Sequence, residues 1–534
     1  MVAKARAYLQ KMEAVLLASH PIAFASYPVL ALYVASLGQI GLDAIVRSWA
    51  ASVLLAILLI AAFRWWMPGR GHADLAASLC LLVFFSYGHI YAQLKQLGAW
   101  GPILIRHRYL APLAIALAVG GLWLIRKSGS IRPVTVVAGT VGWSLVLALA
   151  LRAGTYALES YQITTGLTAQ GPTCTLDPPP NSRLPDVYVI IMDAYERDDI
   201  LWEMHGYDNT PFLRALESRG FYVARGSMSN YRHTELSIPS LLNMEYVQNL
   251  PGSHSPESTN TSGMIELLKN SRLRRELECL SYATVAIETG VVWSEWRDAD
   301  YFISREAGVL YRLQFAGGLT RFESLLLRTT MARALLDLTT RMGVPPDALA
   351  NDPVDVHRER ILFQFEQLKT IPELPGPKLV FAHILSPHPP MVFGPNGEYV
   401  DEATFETDAT DQQFGSPLLK AYADQVHYLN GRLLEVVTAI LAKSASPPVI
   451  IIQGDHGWAD RNAEDKLSIL NVYHFPDADY SALYPTITPV NSFRVVLNQY
   501  LGGSFELLED VSYFSTEEAV FQFEVVPNSW RESP

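Results

Sequence analysis

The sequence predicts two parts: an α-helical membrane anchor of about five spans, and an α/β extracytoplasmic domain with a mainly parallel central sheet. Three observations carry this expectation. Five apolar runs of membrane-crossing length crowd the first third of the 534 residues. Charge divides along the same line: residues 1–160 hold 13 Lys/Arg and 4 Asp/Glu, and residues 161–534 hold 28 and 49. Later, three runs rich in Val, Ile and Leu each deliver Asp or His near their carboxyl end. At 49% apolar, 18% charged and a mean hydropathy of +0.14, the chain is too apolar for an ordinary soluble enzyme and too polar for a wholly helical transporter. The acidic remainder argues against a nucleic-acid partner, because gripping a phosphate backbone needs a basic footprint.

The apolar runs lie near residues 14–37, 48–67, 73–94, 109–126 and 133–153. Each is close to the roughly 20 residues that cross about 30 Å of hydrocarbon. A signal peptide would offer one such run and a small-residue cleavage site, not five. Trp65, Trp66, Trp100 and Trp123 fall near span ends, where amphipathic rings settle. With the N-terminus inside, Lys4, Arg6, Lys11, Arg64, Arg70, Arg126, Lys127 and Arg132 face the cytoplasm, against Arg47, Lys95, Arg106, Arg108 and Arg152 outside. The bias favours that orientation, and an odd number of spans then exports everything after residue 155. Arg106-His107-Arg108 runs against the trend. It reads as a headgroup anchor for the fourth helix or as a contact for an anionic lipid phosphate. Cys80 reads as a packing residue of the third span, whereas Cys174 and Cys279 lie where an oxidising compartment allows a disulfide or leaves them unpaired.

Residues 1–155 are thus the transmembrane domain, 156–185 a linker stiffened by Pro172, Pro178, Pro179, Pro180 and Pro185, and 186–534 the outer domain. Asp186–Asp193, Lys378–His383 and Pro448–Gly457 have the continuous apolar character of parallel strands buried on both faces. Helical stretches such as Pro211–Gly220 and Leu418–Ala442 alternate with them, giving an α/β order. Ligands of such sheets collect beyond the carboxyl ends of the strands, so the three runs predict one shared site. Residues 302–370 form a helical insertion, either ordinarily packed or an amphipathic lid resting on lipid.

Asp193, Asp455 and His456 are a donor set for a divalent ion, zinc by preference and manganese as the alternative, and one more ligand completes a four-coordinate site. Taken singly, each is no more than a turn residue or a weak motif. Between the first and second strands come Asn209-Thr-Pro-Phe-Leu-Arg-Ala-Leu and then Arg232-His233-Thr234-Glu-Leu-Ser237-Ile-Pro239. With these in the expected order, the sequence resembles the sulfatase-like branch of the alkaline phosphatase superfamily. The five-span anchor is similar to those of lipoteichoic acid synthases and lipid A phosphoethanolamine transferases. The resemblance implies that Thr234 is the nucleophile and a metal ligand, that Asp193, Asp455 and His456 are metal ligands, and that His388 contacts a substrate phosphate. Arg232 and His233, beside the nucleophile, are further candidates for holding phosphate, or they pair with nearby acids.

Two departures from the family pattern bear on the chemistry. Sulfatases need Cys or Ser followed by x-Pro-x-Arg, and Ser237-Ile-Pro239-Ser-Leu241 has Leu in place of Arg. The phosphoethanolamine transferases carry another His about a dozen residues past the Asp-His pair, whereas His474 comes 18 positions after His456 and reads as a strand end. Arg494 and His383 read as structural. The implied activity is transfer of a phospholipid headgroup, phosphoethanolamine or phosphoglycerol, to an envelope glycan or lipid through a phosphothreonine. The donor is then a phospholipid of the bilayer that holds the anchor, and the location a bacterial inner membrane with the catalytic domain outside. A phosphodiesterase or phosphatase on the same scaffold is the alternative, and a catalytically silent receptor or assembly factor the reading from another class.

Overall fold

Where apolar side chains run on for twenty residues, only a helix satisfies every backbone N–H and C=O without water. The computed structural model has five long helices in this region: α1 (Val2–Ala35), α2 (Asp43–Trp66), α3 (Arg70–Lys95), α4 (His107–Lys127) and α5 (Arg132–Ala169). It describes residues 2–531 apart from 39, 96–103, 170–173, 181, 252–255, 257, 306–320, 342–352, 401–415 and 460; Trp100 lies outside the described residues. Among these, Ala44–Trp66, Arg70–Lys95, His107–Lys127 and Arg132–Gln162 are long and apolar enough to cross a membrane. Leu54, Leu58, Leu113, Leu117, Leu147 and Leu151 stay more than half exposed, as side chains facing lipid must. At one end of the bundle Arg126 stacks over Trp66 at 4.8 Å and Lys127 over Trp123 at 4.0 Å, an aromatic and basic belt on the side assigned to the cytoplasm.

The chain divides into two compact units, Met1–Ala157 with Arg312–Pro353, and Leu158–Tyr311 with Val354–Pro534. Residues 156–169, expected to open the linker, instead continue α5. The proline-rich stretch after it is fastened: Cys174 is disulfide-bonded to Cys279, with Cα atoms 5.9 Å apart, and Thr175 donates twice to Glu276, at 2.8 and 2.6 Å. Part of the expected helical insertion also belongs to the anchor unit: α11 (Arg321–Arg328) and α12 (Ala332–Arg341).

The second unit is an α/β domain. Its elements in chain order are β1 (Val187–Met192), α6 (Asp198–His205), α7 (Thr210–Glu217), β2 (Tyr222–Val223), α8 (Thr234–Asn243), α9 (Ser262–Lys269), α10 (Arg272–Cys279), β3 (Ala283–Ile287) and β4 (Tyr301–Ile303). After the insertion follow α13 (Pro353–Leu368), β5 (Lys378–Ile384), α14 (Pro417–Lys443), β6 (Val449–Gly454), α15 (Ala463–Leu467), β7 (Asn471–His474), α16 (Pro489–Tyr500), β8 (Ser512–Phe514) and β9 (Glu524–Val526). Seven strands form one sheet in the order β2-β7-β6-β1-β5-β3-β4. The pairs β1–β5, β1–β6, β3–β5 and β3–β4 are parallel, and β7, the one reversed strand of this sheet among the described residues, pairs antiparallel with both β6 and β2.

The three long strands are the centre of this sheet because both their faces are covered. Tyr188, Ile190 and Met192 pack with Phe365, Tyr422 and Leu429 on one side. Val187, Val189 and Ile191 pack with Ile238, Leu241 and Val496 on the other. Burying each such side chain contributes about 1.5–3 kcal/mol. Register then fixes the site: Met192 lies opposite both Ile384 and Gly454, so the residues that follow all three strands emerge at one edge.

Candidate functional site

Asp193, Asp455 and His456 leave β1 and β6 at that edge and converge, with their donor atoms all within 4.8 Å of one another. All three are buried. His456 Nε2 lies 3.6 Å from Asp193 Oδ1 and 3.6 Å from Asp455 Oδ2. Thr234 Oγ1 stands 3.2 Å from the same nitrogen. Donors about 2.0–2.2 Å from a tetrahedral ion lie roughly 3.4 Å from each other, which is the spacing seen.

The polarity of these atoms is set by their neighbours. His456 Nδ1 donates to the Gly457 carbonyl at 2.8 Å, so neutral imidazole turns the Nε2 lone pair into the cluster. Asp455 Oδ1 accepts from the Ala194 and His456 N–H groups, each at 3.0 Å. Asp455 Oδ2 and Asp193 Oδ1 are buried without any hydrogen-bond partner. Two bare carboxylate oxygens facing an imidazole lone pair would be costly with nothing between them. A cation resolves that cost, so the residues fit a metal ion. Burial alone would raise the Asp193 carboxyl, but His388 and His383 beside it hold it well below the usual carboxylate range.

Thr234 opens α8, and its hydroxyl is placed where the helix N-terminus favours negative charge. Ser237, one turn on, points elsewhere: its Oγ meets Ser229 Oγ at 3.0 Å, and Ser229 in turn donates to the Asp455 carbonyl. Thr234, not Ser237, therefore faces the donor cluster. His388 is exposed beside it, its ring 6.2 Å from that of His456 and its backbone N–H bonded to the Asp193 carbonyl at 3.0 Å.

Arg232 and His233 are not gathered into the cluster in the same way. The Arg232 guanidinium donates to Ser515 O at 3.2 Å, lies 3.4 Å from Glu517 and stacks over Phe514 at 5.1 Å. His233 Nδ1 is 3.9 Å from Glu517, while its Nε2 is buried and unpartnered. His474 ends β7 opposite Ile450, near the start of β6 and far along the sheet from the cluster, and bonds the Pro448 carbonyl at 2.9 Å. Arg494 caps the far end of α8 by donating to Met244 O at 2.9 and 2.6 Å.

Sequence reasoning missed two contributors. His383 is fully buried and both its ring nitrogens lack partners, so it is not a satisfied core histidine. Its Nε2 lies 3.6 Å from Asp193 Oδ2. The signal was its register: it pairs with Ile191, two residues before Asp193, at the same edge. Glu196 was passed over entirely. It accepts from His205 at 2.7 Å and from the N–H groups of Trp458 and Ala459, and so pins the loop after the Asp-His-Gly turn.

The sulfatase family model matches residues 185–465, more than half of the chain, from the start of β1 to α15. The chain belongs to the sulfatase family. It thereby falls in the alkaline phosphatase superfamily, with the apolar anchor helices of a membrane-bound member. No curated protein matches this sulfatase-family chain in sequence. Among solved structures it is similar to the C-terminal periplasmic domain of EcEptC from Escherichia coli, at 12% identity, 65% of this chain, 93% of that one and a TM-score of 0.40. Lipooligosaccharide phosphoethanolamine transferase A from Neisseria meningitidis matches at 12% identity over 91% and 95%, with a TM-score of 0.37. Lipoteichoic acid synthase LtaP from Listeria monocytogenes matches at 14% over 66% and 83%, with a TM-score of 0.35.

Proposed function

We propose that this sulfatase-family protein is a membrane-bound, metal-dependent phosphoryl-group transferase that moves a phospholipid headgroup to an envelope glycan or lipid. One observation supports the reading above others: Thr234 Oγ1 stands 3.2 Å from His456 Nε2, at the edge of a buried donor set in which one oxygen of each carboxylate, Asp193 Oδ1 and Asp455 Oδ2, has no hydrogen-bond partner. Asp193, Thr234, Asp455 and His456 would hold the ion. Zinc suits two carboxylates, an imidazole and a hydroxyl, with manganese the alternative; bound there, it lowers the pKa of the threonine hydroxyl and neutralises charge on the phosphoryl oxygens.

Thr234 Oγ1 attacks the phosphodiester phosphorus, the bond to the diacylglycerol oxygen breaks, and the headgroup phosphate stays on threonine. His388, exposed beside the cluster, contacts a phosphate oxygen. An acceptor hydroxyl then takes the headgroup in the second half of a ping-pong cycle. Ser237 is buried, committed to Ser229, and lacks the Arg that the sulfatase signature requires, which argues against sulfate-ester chemistry. Anchorage in a bacterial inner membrane, with this domain outside the cytoplasm, confines enzyme and lipid donor to one surface and raises their effective concentration.

The test uses the full chain in vesicles with phosphatidylethanolamine or phosphatidylglycerol labelled in the headgroup. Thr234→Ala is expected to lose at least about a thousand-fold in turnover, the scale of losing a covalent nucleophile. Wild type is expected to carry labelled phosphate on Thr234 when the acceptor is withheld. Normal turnover by Thr234→Ala would reject the mechanism. Release of free headgroup phosphate at the same rate with and without acceptor would favour a hydrolase.

A further inference from the structure

The chain leaves the catalytic unit near residue 312, joins the anchor unit, and returns near residue 353. Within the anchor unit, α11 and α12 sit on the ends of the spans that N-inside topology places outside. Arg47, before the bulk of α2, pairs with buried Glu323, with Nε to Oε1 at 2.5 Å. His107, which opens α4, bridges the Tyr87 hydroxyl at 2.7 Å and Asp337 at 2.6 Å. Arg333 lies 4.0 Å above the Tyr91 ring. Backbone meets backbone as well: Gly88 N–H donates to Thr329 O at 2.9 Å, and Met331 N–H donates to Phe84 O at 2.8 Å. That approach needs glycine, since a Cβ on Gly88 would lie 2.3 Å from the Arg328 carbonyl oxygen. Phe322 and Leu326 complete a cluster with Val29, Tyr33, Val34 and Ile45.

This seat covers one face only. Leu325, Leu335 and Leu338 remain 45%, 62% and 51% exposed, and Arg328 is exposed too. Beside these contacts the spans expose Val46, Trp49 and Ile90, close in sequence to Arg47 and Tyr91, so the uncovered leucines continue the apolar surface of the bundle. We propose that α11 and α12 form a lipid-contacting hairpin whose occupant is the outer leaflet itself, with Leu325, Leu335 and Leu338 among the acyl chains and Arg328 at headgroup phosphate. Three branched apolar side chains on helices fastened to spans have no water-facing alternative that buries them, and amphipathic helices settle about 5–10 Å into the boundary of headgroups and chains. The Arg106-His107-Arg108 run thereby gains a third reading: its histidine is a latch for the hairpin. The proposal is independent of the transferase reading.

Cys80 is the one free cysteine among the described residues, so a Cys80→Ser background accepts single labels. Leu335→Cys and Leu338→Cys are labelled with an environment-sensitive fluorophore in the full chain, reconstituted in nanodiscs of phosphatidylethanolamine and phosphatidylglycerol. Val525→Cys, 61% exposed in the catalytic unit, is the water-facing control. Both hairpin labels are expected to show blue-shifted emission, quenching by lipids spin-labelled near the headgroup, and iodide quenching about five-fold weaker than at the control, as for a group held in the interfacial layer. Iodide quenching equal to the control at both positions would overturn the proposal. Circular dichroism checks each labelled chain, and Leu325→Cys replaces any position whose label disturbs the fold.

Discussion

Asp455 commits one carboxylate oxygen to two backbone N–H groups and leaves the other bare beside His456. The first oxygen is a structural clamp between β1 and β6, and the second is a ligand in waiting. Asp455→Asn keeps the clamp but removes the negative charge. The metal-free variant is expected to melt no lower than wild type, because a buried like-charged neighbour of Asp193 is gone. Zinc at a hundred-fold above Kd should stabilise wild type by about 2.7 kcal/mol and leave the variant unmoved, as read by thermal denaturation with and without the ion. An equal zinc shift in both would refute the ligand set. At this scale Asp193, Asp455 and His456 were legible as a donor set from residue type at the ends of apolar runs, whereas Thr234 came from the family resemblance; the structure brings the four side chains together. His383 was not, because a histidine inside a strand shows its partners only when the register is known.

The elements explain why the cluster forms at all. Three apolar strands are readable in the sequence because both faces are buried, so no polar alternation interrupts them. The short edge strands β2 and β4, of two and three residues, carry no such run and escape notice. The reversed direction of β7 escapes too, since strand character says nothing about polarity. The turn after β6 rests on a glycine: a Cβ at Gly454 would lie 2.3 Å from the Tyr195 carbonyl oxygen and 3.3 Å from Ile469 Cβ. The peptide beside Tyr195 is Ala194, whose N–H holds Asp455 and whose carbonyl accepts from Tyr422 at 2.7 Å. Gly454→Ala therefore strikes backbone. It is expected to cost about 1–3 kcal/mol in denaturant unfolding, and to weaken zinc binding as Ala194 shifts. Unchanged stability and metal affinity would show that the turn yields freely.

For the whole molecule, charge and hydropathy announced an apolar helical anchor and a separate α/β domain, but not which unit would claim residues 312–353. Amphipathic helices look alike whether they rest on protein or on lipid, and the sequence does not show the Arg47–Glu323 and His107–Asp337 pairs that decide it. The Cys174–Cys279 bridge, left open by the sequence, ties the start of the proline-rich stretch to α10 across 105 positions. Removing it by Cys174→Ser with Cys279→Ser is expected to lower stability by about 2–5 kcal/mol, and a reducing agent should do the same to wild type but nothing to the double variant. Thermal melts with and without reductant read the difference.

The return of the chain into the anchor unit has a practical corollary for how this protein could ever be released. One cut by a protease between α5 and β1 would not shed the catalytic domain, because the peptide still passes twice more between the units, near 311 and 354. Liberation demands three scissions. A secreted fragment beginning at residue 158 would likewise drag along the orphaned hairpin, with Phe322 and Leu326 stripped of the spans that shield them.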